Sequence, residues 1–359
     1  MKKILSIILV LTLMATMLIG CSKEQPAPNN PSTGDDTAPT NETGITKIGL
    51  GQNTTIAKSK DQNGDTPAAA QVDTVMAAVA FDKDGKVVKV TIDNAQTKVN
   101  FDKDLQLTSD VNAENKTKVE LGADYGMVKN SKIGKEWFEQ ISELEKWMIG
   151  KNLDEIKGIK TKKVDDAHPS VPDVAELAST VTITIQDYIA AVEEAYTNAI
   201  DVNAGAVTLG LGHEISIAKS KSYASVDGKE TLPLAQVDTV MVVSAFDADG
   251  KVVNTIIDTA QTKVNYDKDG KVTTDKAGEF KTKVELGADY GMVKNSKIGK
   301  EWFEQAKALA DWMAGKTVEE IKDMKTTDGV PSDAELTSSV TVSVQDYIAG
   351  LVEASENAK

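Results

Sequence analysis

Twenty-five consecutive residues, KTKVELGADYGMVKNSKIGKEWFEQ, stand at 116–140 and return unchanged at 281–305. A chain that repeats itself must also repeat the structural unit to which the stretch belongs. The register continues beyond the identity in both directions. AQVDTVM at 70–76 returns at 235–241, FDKDGKVV at 81–88 returns as FDADGKVV, and AQTKVN at 95–100 returns at 260–265. Downstream, GKNLDEIKGI at 150–159 matches GKTVEEIKDM at 315–324, and ELASTVTITIQDYIAAVEEA matches ELTSSVTVSVQDYIAGLVEA near the end. A period of about 160–165 residues is that of a domain, not of a solenoid unit. Two homologous domains are expected, 44–201 and 202–359. Each has its own strands, middle helix and terminal helix, and each is expected to fold by itself.

Residues 1–21 are read as a lipoprotein signal peptide. Lys2 and Lys3 precede an apolar run from Ile4 to Ile19, and Leu18-Ile19-Gly20-Cys21 forms a lipobox. Cys21 is the only cysteine and is expected to carry the lipid, which leaves the domains without disulfides, thiolate-ligated zinc or iron–sulfur clusters. Segment 22–43 is polar and Pro-rich and reads as a disordered tether. Fully stretched it reaches roughly 75 Å, at about 3.4 Å per residue. The expected location is the outer face of the cell membrane, held through Cys21 alone.

The formal net charge of −15 argues against nucleic acid and anionic headgroups as partners. All basic residues are lysines, so no guanidinium fork is present to clamp a phosphate.

In each half, VDTVMAAVAF or its copy, a DKDG-type turn and KVVKVTID or its copy predict a β-hairpin bending at Asp84-Gly85 or Asp249-Gly250. An EF-hand reading of that turn fails, because Ala80 and Thr91 stand where further acids are needed. Within the identical stretch, ELGADYGM reads as a loop. A helix follows, capped by Ser131 or Asn130, with Ile133, Trp137, Ile141, Leu144 and Met148 at helical spacing and Gly150 at its end. Four tryptophans at matched positions are explained by core packing. Packing does not explain why Lys129, Asn130 and Lys132 also match their copies. Either the loop contacts something common to both halves, or the DNA was recently homogenised.

Neither histidine is matched: His213 aligns with Gln52, and His168 falls in a linker that is shorter in the second half. A function common to both halves therefore uses neither Ser-His-Asp hydrolysis nor a His-ligated metal. Hydroxyls are matched. Ser179-Thr180-Val181-Thr182 and Ser338-Ser339-Val340-Thr341 each precede a C-terminal helix whose start is placed close to Thr341, where free N–H groups suit a phosphate. The other reading is a TVTITI or SVTVSV strand with threonines facing water.

The order of elements resembles the FMN-binding-domain family: strands with a D-x-D-G-K-V turn, a helical middle, then a Ser/Thr-rich turn into a final helix. In that family the last threonine of D-x-x-S/T-G-A-T receives FMN as a phosphoester. The resemblance implies an α+β fold with an antiparallel sheet, a central helix and a C-terminal helix in each of two tandem domains. It also implies two FMN groups, held as phosphoesters at Thr182 and Thr341, with Ser179, Thr180, Ser338 and Ser339 beside them. Tyr125, Met127, Tyr290 and Met292 would then pack against the flavin ring. Two such domains behind a lipobox look like a flavin lipoprotein of Gram-positive extracellular electron transfer. The implied partners are a flavin transferase, a membrane-bound quinone-linked donor and extracellular acceptors. The chain departs from the motif at Thr180-Val181 and Ser339-Val340, which replace Gly-Ala, and Asp173 and Asp333 lie farther upstream than the motif's acid. The alternative is a flavin-free surface lipoprotein presenting a duplicated binding module.

Overall fold

The computed structural model describes residues 44–359. Residues 1–43, on which the readings of a signal peptide, a lipidated Cys21 and a tether fall, lie outside the described residues. Each half contributes three long strands: β1 (Lys47–Thr55), β2 (Ala69–Phe81) and β3 (Val87–Asn100), then β4 (Thr208–Ser216), β5 (Leu234–Phe246) and β6 (Val252–Asn265). Each trio is an antiparallel meander with the second strand in the middle, and Ile200–Asp201 adds a short fourth strand beside β1. The hairpin turn forms where the DKDG letters place it. Asp82 Oδ1 accepts N–H bonds from Asp84 at 2.9 Å and Lys86 at 2.8 Å, and Gly85 takes φ +76°.

The helices in order are α1 (Lys118–Leu121), α2 (Trp137–Met148), α3 (Leu153–Lys157) and α4 (Gln186–Thr197), followed by their copies. These are α5 (Lys283–Leu286), α6 (Trp302–Met313), α7 (Val318–Lys322) and α8 (Gln345–Glu356). The fold is α+β, with each half supplying an antiparallel sheet, a central helix and a C-terminal helix.

Side chains along a strand alternate between its two faces, yet β2 is buried without interruption from Val72 to Phe81. The two faces pack against different things. Val75, Ala77, Val79 and Phe81 meet Trp137, Ile141, Leu144 and Met148 of α2 and Tyr188, Ala191, Val192 and Ala195 of α4. Met76, Ala78 and Ala80 face the other way and pack with Ile48 and Leu50 against Leu209, Leu211, Met241, Val243 and Ala245 of the second half. A further cluster joins Val72, Val99 and Phe101 to Val237, Val264 and Tyr266. The result is four layers: helices, sheet, sheet, helices. This shared middle layer weighs against the expectation that each half folds by itself, because one face of each sheet is covered by the other half.

Along the middle layer the apolar packing is broken by polar residues. Thr74 and Thr239 separate Val72 from Met76 and Val237 from Met241, and both are buried. Thr54 Oγ1 lies 3.1 Å from Thr74 Oγ1 and donates to Gln52 Oε1 at 2.8 Å. Among the described residues no helix is long and apolar enough to cross a membrane.

Candidate functional site

The identical stretch is internally interlocked. Thr117 opens α1 with a capping box: its Oγ1 accepts Glu120 N–H at 3.3 Å, and Glu120 Oε2 accepts Thr117 N–H at 2.7 Å. The chain then makes two tight turns, with Gly122 at φ +50° and Gly126 at φ +72°. Glu136 closes the loop by accepting the N–H groups of Met127 at 2.7 Å and Val128 at 3.0 Å. The same carboxylate caps α2, so the helix begins at Trp137 and not at the expected Ser131 or Asn130. The second copy repeats these bonds through Thr282, Glu285 and Glu301. Lys129, Asn130 and Lys132 stay exposed, and packing does not account for their identity.

This loop lays Tyr125 and Met127 against the helix-side core, and Tyr290 and Met292 do the same in the second half. An unexpected lysine joins them. Lys118 Nζ sits 5.1 Å from the Tyr125 ring centroid and 5.2 Å from that of Trp137, and Lys283 sits 5.3 Å and 4.9 Å from Tyr290 and Trp302. Burial disfavours the charged amines, pulling Lys118 down to about 8 and Lys283 in the same direction. Trp137 Nε1 donates to Tyr188 Oη and Trp302 Nε1 to Tyr347 Oη, each at 2.9 Å, which ties the start of the central helix to the C-terminal helix.

The hydroxyl cluster is neither strand nor helix start. The C-terminal helices begin at Gln186 and Gln345, four residues past the threonines, because Val181 and Val340 are drawn fully into the core. Thr182 donates to Gln140 Oε1 through its N–H at 2.8 Å and its hydroxyl at 3.2 Å, and Thr341 does so to Gln305 at the same distances. Both glutamines are fully buried, and each donates to the loop serine, Ser131 at 3.4 Å or Ser296 at 3.3 Å. The threonine N–H groups expected to be free for phosphate are therefore already used. Thr180 and Ser339 spend their hydroxyls on the carbonyls of Leu177 and Leu336, while Ser179 and Ser338 are exposed.

In the second half a cleft of about 500 Å³ is lined by Tyr290, Met292, Asn295, Lys263, Lys281 and Lys283 among others. Thr341 is not in its wall. The structure thus brings tyrosine, methionine and lysine together, and separately joins threonine to glutamine.

Another constellation lies between the halves, where Gln52 and His213 occupy equivalent places at the open edge of each sheet. Glu194 of α4 accepts Gln52 N–H at 3.0 Å, and Glu353 of α8 accepts His213 N–H at 2.6 Å. Each side chain then reaches across to the capping-box glutamate of the opposite half. Gln52 Nε2 donates to Glu285 at 3.2 Å, and His213 Nε2 lies 3.6 Å from Glu120 and 3.8 Å from Asp93. Burial alone would pull His213 down, but Asp93 and Glu353 outweigh it and push the imidazole up to about 11. On the other side, among the described residues, no cationic side chain stands where the imidazole does. Burial, then the charges of Glu285 and Asp258, push Glu194 up to about 7 against its bond from Gln52 N–H, and burial pushes Asp258 up to about 6.

His213 was dismissed by sequence reasoning because it is unmatched. The signal lay in the exchange itself, a histidine for a glutamine after the same Gly-Leu-Gly.

An acid whose folded pKa exceeds its unfolded value stabilises the protein only while protonated. For Glu194 that contribution is complete below about 4.5 and lost as pH rises through about 7. Glu194→Gln is therefore expected to stabilise at pH 8 and to change little at pH 4. Because the group is half-buried, solvent screening reduces the gain to about 1 kcal/mol, or about 2–4 °C in Tm. Thermal melts at the two pH values check this, and equal shifts at both would refute it.

Comparison with protein-family models, with curated proteins and with solved structures found no match for this chain.

Proposed function

We propose that this chain is an extracytoplasmic flavoprotein, anchored by lipid at Cys21, which carries one FMN in each repeat and relays electrons. The observation that carries the reading is the duplicated threonine of the hydroxyl turn. Thr182 and Thr341 are half-buried and held in one orientation by a fully buried glutamine from the identical stretch. Gln140 and Gln305 hold the threonine N–H independently of the hydroxyl, so a phosphoester at Oγ1 would leave the turn tied down.

The cleft beside the identical loop of the second half suits the rest of such a group. Lys263, Lys281 and Lys283 bring positive charge to the cleft of Tyr290 and Met292 in a chain that is otherwise acidic. Lysine charge offsets phosphate and favours an anionic reduced ring, while tyrosine and methionine offer flat and polarisable contacts. Bound flavin would supply the redox chemistry, and the protein would bind, orient and tune it. Maturation would require a flavin transferase. A membrane-bound quinone-linked donor and extracellular acceptors would be the electron partners.

A second reading, a flavin-free duplicated binding module, is favoured by one observation. The tyrosine rings are already engaged by Lys118 and Lys283, and Thr341 lies outside the wall of the cleft.

Intact mass after co-expression with a flavin transferase separates the two. Two FMN additions are expected, with Thr182→Ala and Thr341→Ala each removing one. Each variant loses one hydroxyl hydrogen bond, about 1 kcal/mol, so the fold is expected to persist by circular dichroism. Flavin appearing on Ser179, Thr180, Ser338 or Ser339 would move the attachment point. A chain that never gains flavin leaves the binding module.

A further inference from the structure

We propose that His213 Nε2, Glu120 and Asp93, with Glu353 holding the ring from its other nitrogen, form a site for one divalent transition-metal ion at the junction of the two halves. The site exists in only one of the two equivalent positions, and it is independent of whether flavin is bound.

Ring geometry is the first support. Nδ1 lies 3.0 Å from Glu353 Oε2, a hydrogen bond that fixes the imidazole and leaves Nε2 as the nitrogen a metal would reach, its binding releasing the Nε2 proton to solvent. Nε2 is buried and has no hydrogen-bond partner, in a residue only 6% exposed. Its nearest acceptors, Glu120 Oε2 at 3.6 Å and Asp93 Oδ2 at 3.8 Å, are too far for hydrogen bonds. Metal bonds of about 2.0–2.2 Å at tetrahedral angles put neighbouring ligand atoms about 3.3–3.6 Å apart. The gap in front of Nε2 is close to that size. His213, Glu120 and Glu353 each bring a ring nitrogen or a carboxylate oxygen within 4.8 Å of the others; Glu353 stands on the Nδ1 side and holds the ring, while Glu120 and Asp93 face Nε2.

The carboxylates are themselves held in place. Asp93 Oδ1 accepts the N–H groups of Asn94 at 2.6 Å and Val119 at 3.2 Å, which turns Oδ2 toward the ring. Glu120 Oε2 accepts Thr117 N–H at 2.7 Å and keeps a lone pair. A cleft of about 210 Å³, lined by Glu114, Asn115, Glu120, Glu214 and Glu353, gives an ion a route from solvent along acidic walls. One imidazole nitrogen with carboxylate oxygens suits borderline ions such as Zn²⁺ or Mn²⁺ better than Ca²⁺, which takes oxygen alone.

The duplicated fold supplies its own control. Around Gln52 the same carboxylates recur as Glu194, Asp258 and Glu285, without the imidazole. His213→Gln therefore installs a side chain already accommodated in an equivalent setting, and it is expected to fold.

The test is calorimetric titration of the full chain with Zn²⁺ at about 0.5 M NaCl, which screens loose binding to surface acids. One equivalent is expected for the wild type, none for His213→Gln and two for Gln52→His. With Co²⁺ as the probe, the visible absorption of nitrogen- and oxygen-ligated cobalt should follow the same 1:0:2 pattern. A folded wild type that takes up no Zn²⁺ would show the cluster to be a salt-bridged imidazolium and would overturn the site. So would His213→Gln retaining the wild-type equivalent, or Gln52→His folding without gaining one.

Discussion

Cut between residues 201 and 202, neither half is expected to give a stable monomer. In the first half the middle layer includes Ile45, Ile48, Leu50, Val72, Met76 and Val99, all at most 5% exposed in the intact chain. Each full burial of such a side chain is worth about 1.5–3 kcal/mol. Exposing the set forfeits about 10 kcal/mol, comparable with the whole stability of a domain at about 5–15 kcal/mol. Gln52–Glu285 and the contacts of His213 with Asp93 and Glu120 would be lost as well. The fragment 202–359 is expected to bind a hydrophobic dye, or to pair with itself through the same face. Adding fragment 44–201 should restore a 1:1 complex with a cooperative melt. A monomeric 202–359 melting sharply near the intact chain's Tm would sink the shared-core argument.

The covalent pattern of the chain carried much of this fold and little of its assembly. Duplication, the hairpin and helix α2 were all legible, since each is local: a repeat, an Asp-Gly bend, and apolar residues at three and four. The pairing of the sheets was not. The run from Val75 to Phe81 is apolar on both faces, and a run of that kind reports burial without saying what covers it. Helix starts failed for a related reason. Ser131 and Thr341 have side chains that suit caps, but Glu136 takes the cap of α2, while Val344 precedes α8 without any side-chain cap. Thr341 instead answers to Gln305, a residue far away in sequence.

Site residues divide along the same line. Tyr125, Met127, Tyr290 and Met292 were found because the stretch repeats without change. Lys118 and Gln140 lie in that stretch too, yet the first becomes an aromatic-boxed cation only when the loop folds Tyr125 and Trp137 around it, and the second a buried wedge only when Thr182 arrives from elsewhere. His213 was discounted by the assumption that duplicated halves share one chemistry, whereas the histidine is where the halves differ.

Gly51→Ala is expected to cost more than about 4 kcal/mol, far beyond an ordinary surface change. In both copies the Gly-Leu-Gly strand lets a helix backbone lie directly on it. A Cβ at Gly51 would fall 1.9 Å from Ala191 O and 2.4 Å from Ala195 N, and one at Gly49 would fall 1.8 Å from Ala195 O. Those atoms are backbone and cannot rotate away, so α4 must lift off the sheet. Gly210 and Gly212 meet the backbone of Ala354 and Gly350 in the same way. Gly134→Ala is the control. Its φ of +65° strains any side chain, but a Cβ there meets nothing within 4 Å, so about 1–2 kcal/mol is expected. Lifting the helix also moves Tyr188 from Trp137 and Glu194 from Gln52, so Gly51→Ala should perturb tryptophan fluorescence below its unfolding midpoint while Gly134→Ala does not. If denaturant titration puts the two variants within 1 kcal/mol of each other, by about the size of a single hydrogen bond, the close strand–helix contact does not hold this fold together.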